Sequence, residues 1–158
     1  DAKVKPLEEL HKNRLECRGG CSQCCVDELS VFEVEADRIR ANCQDVLAEE
    51  PHAKGACAFL NAEGMCRIYD HRPYVCRTQG LPLRWLEESE NEVLEYRDIC
   101  ELNDKEPPIE ELEPDQFWTL GESEGELAQM QFEAHGGEMT RVVLRELFLS
   151  SNVPVDNA

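Results

Sequence analysis

The sequence is poor in basic residues, and this shortage limits the partners that the protein can have. Its 158 residues include 16 Lys and Arg but 34 Asp and Glu, which gives a formal net charge of -18 at pH 7. So acidic a surface repels the phosphates of nucleic acids and the headgroups of anionic membranes. We therefore expect no nucleic-acid and no membrane partner, and a basic protein surface as the complementary partner.

Several sequence patterns that mark large protein classes are also missing. No stretch approaches the ~20 apolar residues that a membrane-spanning helix needs. The first ten residues lack the apolar run of a secretory signal. There is no G-x-S-x-G motif, no P-loop and no dinucleotide fingerprint. We therefore expect a cytoplasmic protein outside the common hydrolase, NTPase and dehydrogenase classes.

Cysteine, in contrast, is abundant, with nine in the chain. Four of them lie within nine residues, in the run CRGGCSQCC, and four more follow at wider spacing. Thiolates are strong ligands for zinc and for iron–sulfur clusters, whereas such a concentration on one loop adds nothing to a core. The predicted metal ligands are Cys17, Cys21, Cys24, Cys25, Cys57, Cys66, Cys76 and Cys100.

A disulfide framework is the alternative use of so many cysteines, and the sequence argues against it. The count is odd, the chain is longer than most disulfide-rich secreted domains, and the neighbours Cys24 and Cys25 are poor partners for each other. The ninth cysteine, Cys43, lies on the apolar stripe of a predicted helix. We interpret it as a buried small hydrophobic residue and not as a ligand.

The spacing of the cysteines leaves the cofactor open between Zn²⁺ and an iron–sulfur cluster. The C-x3-C and C-x2-C spacings suit zinc, while a short group followed by a distant cysteine is typical of iron–sulfur proteins. The adjacent Cys24 and Cys25 favour a polynuclear or two-site arrangement. His71 could replace one thiolate, although a polar turn residue is the simpler interpretation of it.

Basic residues are few, but they collect near the cysteines. A metal ion held by four thiolates carries a net negative charge, which nearby guanidinium groups would offset. Arg72 and Arg77, in the segment HRPYVCR, are the best candidates for this supporting role.

Hydrophobic spacing predicts an α+β fold that is mainly helical: a small irregular metal-centred domain with one short β-hairpin and a C-terminal helical tail. The hairpin is predicted between Cys57 and Cys66, around a turn at Asn61–Gly64. An extended piece is expected at 29–32, and residues 138–150 suit either a helix or a strand. Helices are predicted at about 6–16, 33–50, 82–102 and 122–135.

The distribution of motifs suggests two regions. Residues 1–103 contain every cysteine and form the predicted metal-binding domain. Residues 104–158 begin with an acidic, proline-rich linker and continue into the helical tail, which we expect to pack on the same domain.

Taken together, the cysteine pattern resembles the YkgJ-type cysteine-cluster family, a zinc- or iron-chelating domain with a CxxCxxCC signature. The resemblance rests on C-x3-C-x2-C-C from Cys17, on CRIYD from Cys66, on R-P-x-x-C-R from Arg72, and on the later Cys100. Many members begin with C-x2-C, so the C-x3-C here is a variant. The resemblance implies metal binding by these cysteines.

Three functions are compatible with these observations. The first is a metal-binding protein that is redox-active or accessory to protein modification. The second is an acidic interaction module whose zinc is purely structural. The third is a metal-dependent protein-modifying enzyme, because a related cysteine-rich module looks like that of flagellin lysine methylases. This chain shows no recognisable S-adenosylmethionine site, so that activity is not transferred to it.

Overall fold

The computed structural model describes residues 1–89 and 92–150, and in that part of the chain the fold is α+β, with six helices and two small sheets. Helix makes up 36% and strand 15%, so the expected predominance of helix is not confirmed. None of the described helices is long and apolar enough to cross a membrane. The helices are α1 (Lys5–Leu10), α2 (Glu33–Asn42), α3 (Gln44–Leu47), α4 (Tyr74–Thr78), α5 (Glu122–Ala134) and α6 (Glu146–Ser150). The strands are β1 (Ser30–Phe32), β2 (Leu83–Glu88), β3 (Val93–Asp98), β4 (Trp118–Thr119) and β5 (Arg141–Val143).

The chain forms two compact units, each made of two separate segments. The first unit contains Asp1–Arg18 and Tyr74–Glu126. The second contains Gly19–Pro73 and the described residues from Leu127 onward. The division into residues 1–103 and 104–158 stays a prediction, since compactness alone does not identify independently folding domains.

The second unit is organised around a two-stranded antiparallel sheet, in which Val31 of β1 lies opposite Val142 of β5. The extended piece predicted at 29–32 is therefore confirmed as β1. Helices α2, α3 and α6 supply half of the remaining core side chains. The buried core consists of Val31, Ala36, Ile39, Cys43, Leu47, Ala58, Phe59, Ile68, Val142, Leu144, Leu147 and Phe148.

The single helix predicted over 33–50 is wrong, because the helix breaks at Cys43. There φ is -129° and ψ is 33°, outside the helical range. The N–H of Cys43 still donates to the carbonyl of Ile39 (2.8 Å), and its own carbonyl accepts from Leu47 (3.0 Å). The break lets both Ile39 and Leu47 enter the core. Cys43 itself is only 6% exposed, as predicted.

The first unit contains a three-stranded sheet in the order β3-β2-β4, where the sequence predicted a helix over 82–102. That prediction is wrong. β2 and β3 pair antiparallel, with Trp85 opposite Tyr96. Aromatic and β-branched side chains favour strands, and the apolar positions satisfy a period of two as well as a helical one. The sheet packs on a small core with Val4, Leu81 and Trp118 at its centre.

The hairpin predicted between Cys57 and Cys66 is also corrected. Only an isolated bridge joins Leu60 to Cys66. The turn itself is present: the N–H of Asn61 donates to the carbonyl of Met65 (2.9 Å), and the side-chain oxygen of Asn61 accepts from the N–H of Met65 (2.8 Å). The Asn61 side chain thus stabilises the turn, while the described chain forms no strand on either side of it.

The ends of the other predicted helices are adjusted by the structure. The first helix, predicted to reach residue 16, ends at Leu10. In the tail, α5 occupies Glu122–Ala134 as predicted, and the Gly136–Gly137 pair follows it with positive φ at both residues. The ambiguous segment 138–150 contains both of the alternatives, the strand β5 and the helix α6.

Candidate metal centre

The eight predicted ligands divide between the two units. Cys17, Cys76 and Cys100 belong to the first unit. The larger group, in the second unit, is Cys21, Cys24, Cys25, Cys57 and Cys66. All nine cysteines lie in the described part of the chain, and there none of them forms a disulfide. Their thiols are therefore chemically available as ligands.

In the second unit, two close contacts join the loop that contains Cys21, Cys24 and Cys25 to the segment that runs from Cys57 to Cys66. A Cβ atom on Gly64 would lie 3.3 Å from the carbonyl oxygen of Gly20, so the two turns meet at their glycines. Both residues have positive φ, 86° at Gly20 and 74° at Gly64, which glycine adopts without strain. In addition, the N–H of Cys57 donates to the carbonyl of Cys25 at 2.9 Å. Backbone contacts thus bring together cysteines that are 32 positions apart in sequence.

Cys57 and Cys66 have closely similar surroundings. Both are half-buried and pack against the second unit's core. Burial raises the pKa of each thiol, while a backbone N–H two residues later, from Phe59 or Ile68, donates to the sulfur and lowers it. The proximity of Cys66 also raises the pKa of Cys57. Amide donors of this kind stabilise sulfur in its anionic form, which is the form that binds metal.

Cys24 and Cys25 interact directly. A hydrogen bond from Cys25 lowers the pKa of Cys24 to about 6, although partial burial acts in the opposite direction. Cys24 is exposed and therefore accessible from solvent. The lowered pKa favours the thiolate of Cys24, which is the form that acts as a ligand or a nucleophile.

One arginine that sequence analysis missed holds the cysteine segments in place. Arg145, just before α6, donates from Nε to Asp27 (2.8 Å) and from Nη1 to the carbonyl of His52 (2.6 Å). Its Nη2 donates to the carbonyl of Ala56 (2.8 Å). Asp27 also accepts from the N–H of Gly55 (2.9 Å). The ion pair and these hydrogen bonds lower the pKa of Asp27 to about 2.

This arrangement ties the residues just after Cys25 to those just before Cys57. No sequence signal identified Arg145, because it lies in the tail, more than 75 residues from the segments that it joins. Such pairing depends on tertiary structure alone.

In the first unit, Cys17 has a close neighbour that the sequence also did not reveal. A Cβ atom on Gly80 would lie 2.5 Å from the sulfur of the exposed Cys17, so an alanine there would force that sulfur to move. The fully buried Asn103 lies 3.5 Å from the same sulfur through Nδ2, which also donates to the carbonyl of Gly80 (2.8 Å). Its Oδ1 accepts from the N–H of Glu16 at 2.8 Å. Cys76, in α4, and Cys100 are both half-buried.

The two arginines proposed as supporting residues have different surroundings. Arg72 lies 3.9 Å from the ring centroid of Tyr69 and lowers the pKa of Cys66. It therefore acts on a predicted ligand in the expected direction. Arg77 forms an ion pair with Asp1 at 2.6 Å. Nδ1 of His71 is buried and has no hydrogen-bond partner within the described residues.

The donor set fits a thiophilic metal by its chemistry. The second unit contains six thiols, five of them predicted ligands, and cysteine is a common ligand of both zinc and iron–sulfur clusters in proteins. In residues 1–89 and 92–150, however, no three His, Cys, Asp or Glu side chains lie close enough together to hold an ion. The ligand assignment of the eight cysteines thus stays a prediction.

Comparison with known proteins supports the same chemistry. Residues 16–101, more than half of the chain, match the model of the CxxCxxCC family, described as a "putative zinc- or iron-chelating domain". No curated protein and no solved structure matches the sequence. The matched region contains all eight predicted ligands and ends before the tail that carries Arg145. The chain belongs to the CxxCxxCC family of zinc- or iron-chelating domains.

Proposed function

We propose that the protein chelates zinc or an iron–sulfur cluster, with its principal site in the second unit. The ligands would come from two segments of that unit, the loop of the C-C motif and the segment around the Asn61–Gly64 turn. They are Cys21, Cys24, Cys25, Cys57 and Cys66. The observation that carries the proposal is the 2.9 Å hydrogen bond from the N–H of Cys57 to the carbonyl of Cys25, which brings the two segments together.

The hydrogen bonds to these sulfurs support the proposal. Cys24 has a lowered pKa; burial raises the pKa of Cys57 and Cys66, but each of these two sulfurs accepts a backbone N–H that acts in the opposite direction. Metal binding requires deprotonated thiols, and these donors favour that form. Bound Zn²⁺ would supply a cross-link that stabilises the fold, whereas an iron–sulfur cluster would supply one-electron redox chemistry.

The three thiols of the first unit are proposed to contribute separately. Asn103 is close enough for a weak hydrogen bond to the sulfur of Cys17 and fixes the backbone beside it. With Cys76 and Cys100, this unit offers a second group of thiols for a metal. Thiolate ligands persist in a reducing compartment, and we therefore place the protein in the cytoplasm.

The test is the metal content of the full chain purified without oxygen, with zinc, iron and acid-labile sulfide measured in the same sample. We expect stoichiometric zinc, or iron with sulfide and a brown colour. Cys57→Ala should lose most of the metal, whereas the matched substitution Cys43→Ala should retain it. Equal metal content in the two variants would contradict the proposed ligands, and no zinc or iron in the unaltered protein would contradict chelation itself.

A further inference from the structure

The outer part of the β2–β3 hairpin exposes a face whose chemistry is unlike the rest of this acidic surface. Residues that lie opposite each other in an antiparallel pair point to the same face of the sheet. Trp85 is opposite Tyr96, and Glu87 is opposite Leu94. These four side chains therefore share one face, which we call the aromatic face. Tyr96 is 39% and Leu94 40% exposed, so apolar surface there is open to solvent.

The aromatic face is suited to bind a cation. The rings of Trp85 and Tyr96 are stacked, with centroids 5.4 Å apart and planes 13° from parallel. The carboxylate of Glu87 accepts from Nε1 of Trp85 at 3.3 Å, which places negative charge beside the rings. Aromatic rings flanked by carboxylates attract the side chains of Lys and Arg and also contact their apolar stems.

The basic residues of the hairpin do not compete for this face. Arg84 and Arg97 are opposite each other and point to the other side of the sheet. There both pair with Glu95, at 3.2 Å and 2.6 Å. Arg97 also donates to the carbonyls of Ile109, Glu110 and Leu112, which cover that side. Within β2 and β3, the aromatic face therefore carries carboxylates and no basic group.

β3 also provides an open edge. It is the outer strand of the sheet, and no further strand pairs with it in the part of the chain that the structure describes. Its residues Val93, Leu94, Glu95 and Tyr96 are exposed. An exposed edge strand accepts an extended segment through backbone hydrogen bonds, with alternate side chains reaching the adjoining face.

We propose that this edge and the aromatic face together dock an extended, Lys- or Arg-containing segment of a partner protein. The added strand would pair with β3 and place alternate basic side chains over Tyr96, Trp85 and Glu87. The net charge of -18 favours a basic partner at long range. The same charge disfavours a second copy of this chain, because two molecules that each carry a net charge of -18 repel each other. The proposal does not depend on metal chelation.

The test uses the full metal-loaded chain and a fluorescent peptide of about ten residues, the upper length of a protein strand, in which Lys alternates with Val and Thr. We expect saturable binding, measured by fluorescence anisotropy, and no binding of the peptide with Glu in place of Lys. N-methylation of alternate backbone amides should weaken binding, since it removes the hydrogen bonds to the edge. Equal binding of the Glu peptide would overturn the proposal.

Matched charge reversals separate this site from general attraction to an acidic protein. Glu87→Lys should weaken binding at least about tenfold, because it puts a like charge beside the bound lysines. Glu133→Lys, the same change on an exposed residue of α5, should have less than about a twofold effect. Equal losses in both variants would show non-specific attraction and overturn the proposal.

Two further measurements complete the experiment. If the circular dichroism spectrum shows that Glu87→Lys disturbs the fold, Leu94→Thr replaces it as the test variant. Leu94→Thr keeps a strand-forming residue but removes apolar contact, so it should weaken peptide binding. Unchanged affinity in Leu94→Thr would contradict a role for the aromatic face. Sedimentation should show a monomer. If the unaltered protein sediments as a dimer and Glu87→Lys as a monomer, the β3 edge pairs with a second copy of this chain, and the proposed partner is wrong.

Discussion

At the scale of single residues, the contact between Cys24 and Cys25 predicts an unusually acidic thiol. The hydrogen bond from Cys25 lowers the pKa of Cys24 to about 6, from an ordinary value of 9.0. In metal-free protein, the rate of Cys24 alkylation should therefore rise between about pH 5 and 7 and level off above that range. Peptide mass spectrometry after a short pulse of iodoacetamide measures this rate.

The control for this prediction is Cys25→Ala, which removes the hydrogen-bond donor. Its Cys24 should titrate closer to 9.0, so that the rate at pH 7 falls well below that of the unaltered protein. Cys43, whose pKa is raised by burial, should react slowly throughout. If Cys24 shows the same pH dependence of alkylation in Cys25→Ala as in the unaltered protein, the hydrogen bond from Cys25 is not the cause of its low pKa.

Arg145 is predicted to position the cysteine segments of the second unit. Arg145→Ala removes the contacts with Asp27 and with the carbonyls of His52 and Ala56, so zinc affinity should fall by about tenfold or more. Arg145→Lys should recover only part of the loss, because an ammonium group does not reproduce the planar arrangement of donors. Competition with a zinc chelator measures the affinity.

Arg141→Ala is the matched control for Arg145. Arg141 donates to Ser30 and lies over the ring of Phe32, and within the described residues it makes no hydrogen bond or ion pair with the 52–56 segment. Arg141→Ala should lower the free energy of unfolding, but the molecules that remain folded should bind zinc with nearly unchanged affinity. If both variants lose zinc equally while remaining folded, Arg145 has no specific positioning role.

Gly80 is predicted to be sensitive to substitution because of its contact with Cys17. Gly80→Ala introduces a Cβ 2.5 Å from the sulfur of Cys17, at a φ of +92°. Gly121→Ala also places alanine at a positive φ, +128°, but meets nothing within 4 Å. Both variants carry backbone strain, so the difference between them isolates the clash. Urea unfolding should show that Gly80→Ala is less stable than Gly121→Ala by about 1–3 kcal/mol; equal stabilities would contradict the packing around Cys17.

At the scale of elements, one buried glutamine links two helices of the second unit. Gln131 of α5 is fully buried, accepts from the N–H of Val34 at the start of α2 (2.9 Å), and donates to the carbonyl of Glu138 (2.9 Å). Gln131→Leu would leave both backbone groups without this partner, and it should destabilise the protein by about 2–4 kcal/mol, the sum of two unsatisfied groups. Gln129→Leu, on the exposed side of the same helix, should cost less than about 1 kcal/mol. Thermal unfolding of both variants measures the difference.

The elements also show how far local patterns predict a fold. Helix α5 was predicted almost to the residue, because its apolar spacing and the Gly136–Gly137 pair both indicate its limits. The stretches Leu83–Glu88 and Val93–Asp98 were predicted as parts of one helix and are antiparallel strands. Their apolar residues satisfy both periods, and the sheet is completed by Trp118 and Thr119, which pair with β2 from 35 positions later in the chain. Local sequence does not contain that information.

At the scale of the whole molecule, the tail is predicted to be part of the metal-binding fold. β5 pairs with β1, and Val142, Leu144, Leu147 and Phe148 lie in the second unit's core. A chain ending at residue 103 would lose all of them, together with Arg145. We expect it to lack the stable fold and to bind zinc far more weakly, as judged by circular dichroism and zinc titration. A chain ending at residue 150 is the control and should behave like the full protein; tight zinc binding by the shorter chain would show that residues 1–103 suffice.

The sequence by itself determined the family of this protein: the density and spacing of its cysteines indicate a chelating family, and its acidic charge predicts a basic partner. These follow from residue identity and from separations of a few positions. Only the tertiary structure decided which cysteines share a compact unit, that Arg145 joins the segments next to Cys25 and Cys57, and that β2 pairs with β4. Each of these depends on contacts between residues far apart in the chain, whose pairing is set by packing and hydrogen bonding and has no local signature.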